Sequence, residues 1–197
     1  MYASAFVLGF HGCDESVGER VLAGKDHLVP STNDYDWLGH GIYFWENSPV
    51  RARQWAEFLA KHSPKPRDRI AKPFVIGAII DLGNCLDLTE ASSLGLVRSG
   101  FDEMRLAMES IGIDLPKNEP GAQGDADLLK RKLDCTVINY VHAMRDNEDG
   151  LTPFDSVRGA FSEGLPLYDG AKIMAKTHIQ ICARHRSSIR GYFRPLL

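Results

Sequence analysis

The chain has 197 residues, 44% hydrophobic and 25% charged, an ordinary globular composition that excludes disordered and fibrous classes. At roughly 150 residues per domain a single domain is expected, and a chain of this length buries about 70% of its unfolded surface. The 23 Lys plus Arg against 26 Asp plus Glu give a net charge of -3, which excludes a binder relying on a large basic excess but leaves room for a local basic groove.

Taken in chain order, Ala5 to Phe10 (AFVLGF) is a short apolar run that predicts a buried strand delivering His11-Gly12 at its end. Glu15 to Ala23 has helical spacing in Val17, Val21 and Leu22, with Asp14 or Ser16 as N-cap and Gly24 as stop. Pro30 to Gly41, crowded with Ser, Asn, Asp and Gly, predicts an irregular loop. The aromatic run Ile42 to Trp45 predicts a strand. Asn47-Ser48-Pro49 then announces a helix to about Lys61, with Val50, Trp55, Phe58 and Leu59 on one face.

After the link HSPKPRDR, the unbroken apolar run Phe74 to Leu82 predicts a central strand covered on both sides. Thr89 to Asp146 is expected to be mostly helical, interrupted at Leu115 to Gly124. His178 to Arg184 alternates Ile179, Ile181 and Ala183 against Gln180 and Cys182, as a strand with one covered and one site-facing side does. Mixed strands and helices give an α+β domain over residues 1–197, with residues 89–150 as a helical insertion.

Cys13, Cys85, Cys135 and Cys182 are scattered without a CxxC pair, neither a disulfide framework nor a zinc site, so a reducing cytoplasm is expected. Met1 to Phe10 carries no Lys or Arg, unlike a secretory signal, and no apolar run approaches the roughly 20 residues that span a bilayer. The expectation is a soluble protein with no membrane partner. GxxxxGK[ST], GxSxG, HExxH and a strand-following GxGxxG are all missing. The seven histidines lack ligand spacing, so no metal is expected.

The segments GFHGCD, GHGIYFWENSPVRARQWA, DLGNCLDL and HIQICARHRSSIRGYF, in this order, resemble the catalytic domain of the poly(ADP-ribose) polymerase branch of the ADP-ribosyltransferases. The resemblance covers about Ala5 to Leu88 and His178 to Phe193. It implies two packed antiparallel or mixed sheets with flanking helices, built around a pocket for NAD as co-substrate. His11 would hydrogen-bond the adenosine-side ribose, and the Gly12 backbone would pair with the nicotinamide carboxamide. Tyr43 would be one aromatic wall for the nicotinamide ring, a contact worth about 0.5–1.5 kcal/mol beyond burial. Trp55 matches the second wall if one residue is inserted, and Ala52 then replaces the family's serine beside it.

Ile189 lies nine residues after Gln180, so Gln180 stands where the family carries its catalytic glutamate. Glutamine accepts a hydrogen bond from a ribose hydroxyl but supplies no charge to an oxocarbenium-like centre, a loss of about 3–4 kcal/mol of transition-state stabilisation. Chain elongation is therefore not expected, and transfer of one ADP-ribose is. Glu163, with Asp169 second, is the candidate replacement carboxylate in the loop Phe161 to Thr177. The basic residues Arg51, Arg53, Lys61, Lys65, Arg67 and Arg69, and Arg184, Arg186, Arg190 and Arg194 in the tail, are a solvated surface or a phosphate-contacting one.

The expected activity is mono-ADP-ribosyl transfer from NAD to a protein or nucleic acid, in a toxin or phage-defence effector silenced by an inhibitory partner. The alternatives are a binding module for NAD or ADP-ribose without turnover, and an NAD glycohydrolase. Each residue also has a plainer reading: His11 as a structural histidine, Tyr43 and Trp55 as core aromatics, Gln180 as a polar strand residue, Glu163 as an exposed loop acid.

Overall fold

A computed structural model describes residues 6–62, 70–121 and 127–196. The first strand, β1, covers Phe6–Asp14, four residues beyond the apolar run, because its partner β3 (Pro73–Asp81) pairs with it from Phe6 opposite Asp81 to Asp14 opposite Pro73. Asp14 then caps α1 (Glu15–Leu22), accepting from the Ser16 backbone at 3.0 Å and the Ser16 hydroxyl at 2.6 Å. The same carboxylate accepts from the backbone of Ala71 and Lys72, which fastens the end of β1 to the approach to β3. These bonds, the Ser16 hydroxyl foremost, hold the Asp14 carboxyl at about 2.

Strand β2 (Ile42–Glu46) follows the irregular loop, and Asn47 turns the chain at a φ of 49° into α2 (Pro49–His62). Proline at the first helical position leaves no orphan N–H there. After β3 come the short β4 (Cys85–Asp87), α3 (Ala91–Ser110) and α4 (Lys132–Asn147). The chain ends through β5 (Ser156–Phe161), β6 (His178–Ala183) and β7 (Ile189–Phe193).

The architecture is α+β, but instead of two packed sheets the strands form one seven-stranded sheet, in the order β4-β5-β6-β2-β1-β3-β7, parallel only between β4 and β5. The physical reason is a short seam. β1 and β2 pair at Gly9 with Glu46 and at Phe10 with Trp45, and nowhere else. β2 meanwhile pairs with β6 from Ile42 opposite Ala183 to Trp45 opposite Gln180. Two blocks, β7-β3-β1 and β2-β6-β5-β4, are thus joined by a narrow strip, beyond which His11 to Asp14 and Ile42 to Phe44 are unpaired with each other.

Strand alternation sorts the core. Ile42, Phe44, Ile76, Ile80 and Ile181 face α1, where Val21 packs among them. On the opposite face Phe10, Trp45 and Val75 meet Ala52 of α2, while Val157 and Cys182 meet Ile138 and Val141 of α4. Each such aliphatic or aromatic side chain contributes about 1.5–3 kcal/mol on full burial. α4 of the expected insertion is therefore part of the sheet's cover.

Candidate functional site

The site lies along the seam and the strand beside it. His11, half-buried, leans across the parting of β1 and β2, and its Nδ1 donates to the Tyr43 carbonyl at 2.8 Å. A carbonyl accepts only, so the neutral ring carries its proton on Nδ1 and leaves Nε2 with a free lone pair. Burial pulls the imidazole pKa down, partly offset by this bond. The ring edge rests on Phe44, with centroids 5.8 Å apart. Structure thus joins His11 to Tyr43 through the backbone, while alternation sets the Tyr43 ring on the other face of the sheet, with Cys182.

The Tyr43 hydroxyl accepts from the Leu38 backbone at 2.9 Å and donates to the Gly39 carbonyl at 2.8 Å. It braces the loop before β2, at a turn where Gly39 has a φ of 79° that side chains rarely tolerate. Burial, foremost, raises the phenol pKa well above its usual value. Only the ring face of Tyr43 is left for a ligand. The Trp55 ring, the expected second wall, packs on Trp45 at 6.1 Å and on Phe58 at 5.7 Å. Trp45, two residues along β2 from Tyr43, takes the place beside Trp55 because α2 crosses the sheet there.

Gly12 and Ala52 are brought together. A Cβ on Gly12 would stand 2.2 Å from the Ala52 carbonyl oxygen, so glycine is what lets the backbone of α2 approach β1. Ala52 is fully buried in this contact. Gly12, which the resemblance assigns to the carboxamide, and Ala52, which stands where the family carries serine, are neighbours in space, 40 residues apart in sequence.

Gln180 faces the same side as Tyr43 and Trp45. Its Oε1 accepts from the Trp37 indole Nε1 at 2.6 Å. Indole only donates, so this bond fixes which end of the amide is oxygen. Gln180 therefore offers its NH2 and one remaining lone pair, rather than a free carbonyl. Trp37 comes from the loop before β2 and packs on Phe161 at 5.1 Å. It is a residue that sequence reasoning passed over, since nothing local ties a loop indole to a strand 143 positions away.

His178, two residues before Gln180 on the same face, is the second omission. It is 8% exposed, set between Phe161 at 5.4 Å and Trp45 at 6.2 Å, with Nδ1 donating to the Lys176 carbonyl at 2.6 Å. Burial, foremost, lowers its pKa, with the charge of Arg51 acting the same way and Glu163 opposing it. Extending the period-two alternation of Gln180 and Cys182 back by one step would have found it.

Glu163 is near this cluster but is committed: its Oε2 meets Arg51 Nη2 and its Oε1 meets Lys176 Nζ, each at 3.2 Å, with the carboxylate 16% exposed. Asp169 is exposed in the same loop. Among the described residues, the buried side-chain atoms with no hydrogen-bond partner include Trp45 Nε1, Arg51 Nε, His178 Nε2 and Arg131 Nε. All four belong to this face, Arg131 lying over the Phe161 ring at 4.9 Å. Natural proteins leave few such atoms unmatched, so their grouping marks a place that other polar atoms complete.

Arg53 pairs with Glu57, and Arg184, Arg190 and Arg194 pair with Asp146, Asp81 and Glu19. Each of these four cations is thus paired with a carboxylate. Lys65, Arg67 and Arg69 lie outside the described residues.

Comparison with known proteins adds one relative: an uncharacterized protein of Methanocaldococcus jannaschii, MJ0359, 28% identical over 199 aligned positions that span 92% of this chain and 83% of that one. No protein-family model matches the chain, and no solved structure matches it. Among the described residues no helix is long and apolar enough to cross a membrane.

Proposed function

We propose that the protein transfers a single ADP-ribose unit from NAD to a macromolecular acceptor, a protein or a nucleic acid. The supporting observation is the seam: the His11 imidazole is anchored by Nδ1 to the Tyr43 carbonyl, with the Gly12 backbone at its side and Gln180 on the strand beyond. Three motifs that resemble the NAD-binding segments of ADP-ribosyltransferases thereby sit on adjacent strands β1, β2 and β6. His11 Nε2 is suited to accept from a ribose hydroxyl. Trp55, 43% exposed, offers a ring face to a planar pyridine.

In this reading NAD is a substrate whose nicotinamide, already a cation, leaves as a neutral molecule. The protein holds the leaving ring, orients the ribose and presents an acceptor. Gln180 presents no negative charge to a developing cation, as a carboxylate would, which sets a slow rate.

The same Gln180 favours a second reading, a module that binds NAD or ADP-ribose without turnover, because the side chain is uncharged and already held by Trp37. Purified protein incubated with NAD separates the readings. Nicotinamide released with label retained on an acceptor supports the transferase. Nicotinamide with equal free ADP-ribose assigns the glycohydrolase. A ligand-induced rise in Tm without release assigns the binder; 100 Kd of NAD stabilises a binder by about 2.7 kcal/mol. Neither release nor a shift in Tm rejects all three.

A further inference from the structure

Resting on the transferase reading, we propose that His178 is the residue that takes the proton of the attacking hydroxyl, in place of the carboxylate missing at position 180. The chemistry of the unmatched atoms carries this. His178 Nδ1 is spent on the Lys176 carbonyl, so Nε2 is a bare acceptor held out of water. Trp45, whose ring packs on His178 at 6.2 Å, and Arg51, whose charge acts on it, carry bare donors at Nε1 and Nε. One acceptor and two donors are complementary to a hydroxyl, which has one O–H to give and two lone pairs to receive. A phosphate or carboxylate would leave Nε2 unmatched, and an ammonium would leave both N–H groups unmatched.

The groups around His178 keep Nε2 able to receive that proton. Trp45 and Phe161 contribute rings on two sides. Arg51 of α2 is the nearby cation, and Glu163 and Lys176 of the loop between β5 and β6 are the other charged neighbours. As the acceptor oxygen bonds to the ribose carbon, its O–H electrons stay on oxygen and the proton passes to Nε2. The bond from that carbon to the pyridine nitrogen breaks with its electron pair going to neutral nicotinamide. His178 then releases the proton to solvent, so NAD and the alcohol give the adduct, nicotinamide and one proton. The oxygen comes from water or from an alcohol group of a macromolecule, and the products tell these apart: free ADP-ribose from water, a stable adduct from the alcohol.

His178→Asn keeps a donor to the Lys176 carbonyl but lacks the base. The expected result is a folded variant with wild-type Kd for NAD and nicotinamide release lowered at least about 100-fold. In wild-type protein the rate falls on the acid side with an apparent midpoint below 6.5, the ordinary histidine value, and His178→Asn abolishes this limb. Arg51→Met moves the limb upward and Glu163→Gln moves it downward, since the two charges act on His178 in opposite senses. His178→Asn with wild-type rate and an unchanged limb overturns the assignment while leaving the transferase reading standing. A wild-type protein that releases no nicotinamide overturns both.

Discussion

His11 Nδ1 and the Tyr43 carbonyl oxygen, 2.8 Å apart, form a side-chain bridge across the place where β1 and β2 stop pairing. A ladder bond between backbones would have closed the sheet there. The imidazole instead holds the two blocks in register and keeps its second nitrogen free, so one residue does a structural task with one atom and offers the other to a ligand.

Removing the imidazole should therefore lower both stability and affinity. His11→Phe retains ring packing on Phe44 but leaves the Tyr43 carbonyl unmatched, an expected loss of about 1–3 kcal/mol. NAD affinity falls by about tenfold if Nε2 accepts one ribose hydroxyl worth about 1.4 kcal/mol. Denaturant unfolding and calorimetric titration measure the two separately, and unchanged affinity would remove His11 from the ligand site.

Acid should destabilise the protein well before its carboxylates titrate. His11, His142 and His178 all have pKa values lowered by burial. A lowered pKa means that the folded state binds fewer protons than the unfolded one, so stability is present above the unfolded value and is lost as pH falls through it toward the folded value. His142, 4% exposed and with neither ring nitrogen hydrogen-bonded among the described residues, is pushed to about 3. Against 6.5 unfolded, it alone accounts for about 2 kcal/mol lost between pH 7 and pH 5. His142→Phe, which keeps an edge contact with Phe154, should remove that part of the slope. A variant with the wild-type slope would show that His142 is not the neutral buried group described.

Gly12→Ala tests the approach of α2 to the seam. The added Cβ would lie 2.2 Å from a backbone oxygen, which cannot swing away as a side-chain tip can. Overpacking of this kind commonly costs about 1–3 kcal/mol, or roughly 4–8 °C in Tm for a loss of 2 kcal/mol in a chain of this size. A full-length variant with wild-type Tm would mean that the helix does not press on Gly12.

Much of this arrangement was legible in the sequence. The apolar runs of β2, β3 and β6, and the start of β1, follow from burial, and α1 and α2 from their caps and proline. β5 (SVRGAF) and β7 (IRGYF) were not, because each is short, interrupted by glycine and carries an arginine; β4 has only three residues. Those strands gain their ladders from neighbours, which no local pattern records. The union of two expected sheets into one depends on two residue pairs at the seam, Gly9 with Glu46 and Phe10 with Trp45. At the site, Gly12 and Ala52 were readable as a pair through resemblance to known motifs, whereas Trp37 and His178 gain meaning only from partners brought by the fold.

Position 180 allows the most direct test of where the chemistry occurs. Gln180→Glu keeps an acceptor for the Trp37 indole and adds a negative charge on the face shared with Tyr43 and Trp45. If the ribose carbon develops positive charge beside it, nicotinamide release should rise about 100-fold, the scale of one well-placed electrostatic contact. Gln180→Ala instead strands the Trp37 N–H, lowering stability by about 1–3 kcal/mol with a much smaller effect on the rate. Trp37→Phe separates the two roles, since it keeps the ring contact with Phe161 while freeing Gln180 Oε1 to accept from the ribose. Steady-state nicotinamide release at saturating NAD reads all three variants. Should Gln180→Glu turn over no faster than wild type while folding normally and binding NAD, the reacting carbon does not lie beside β6.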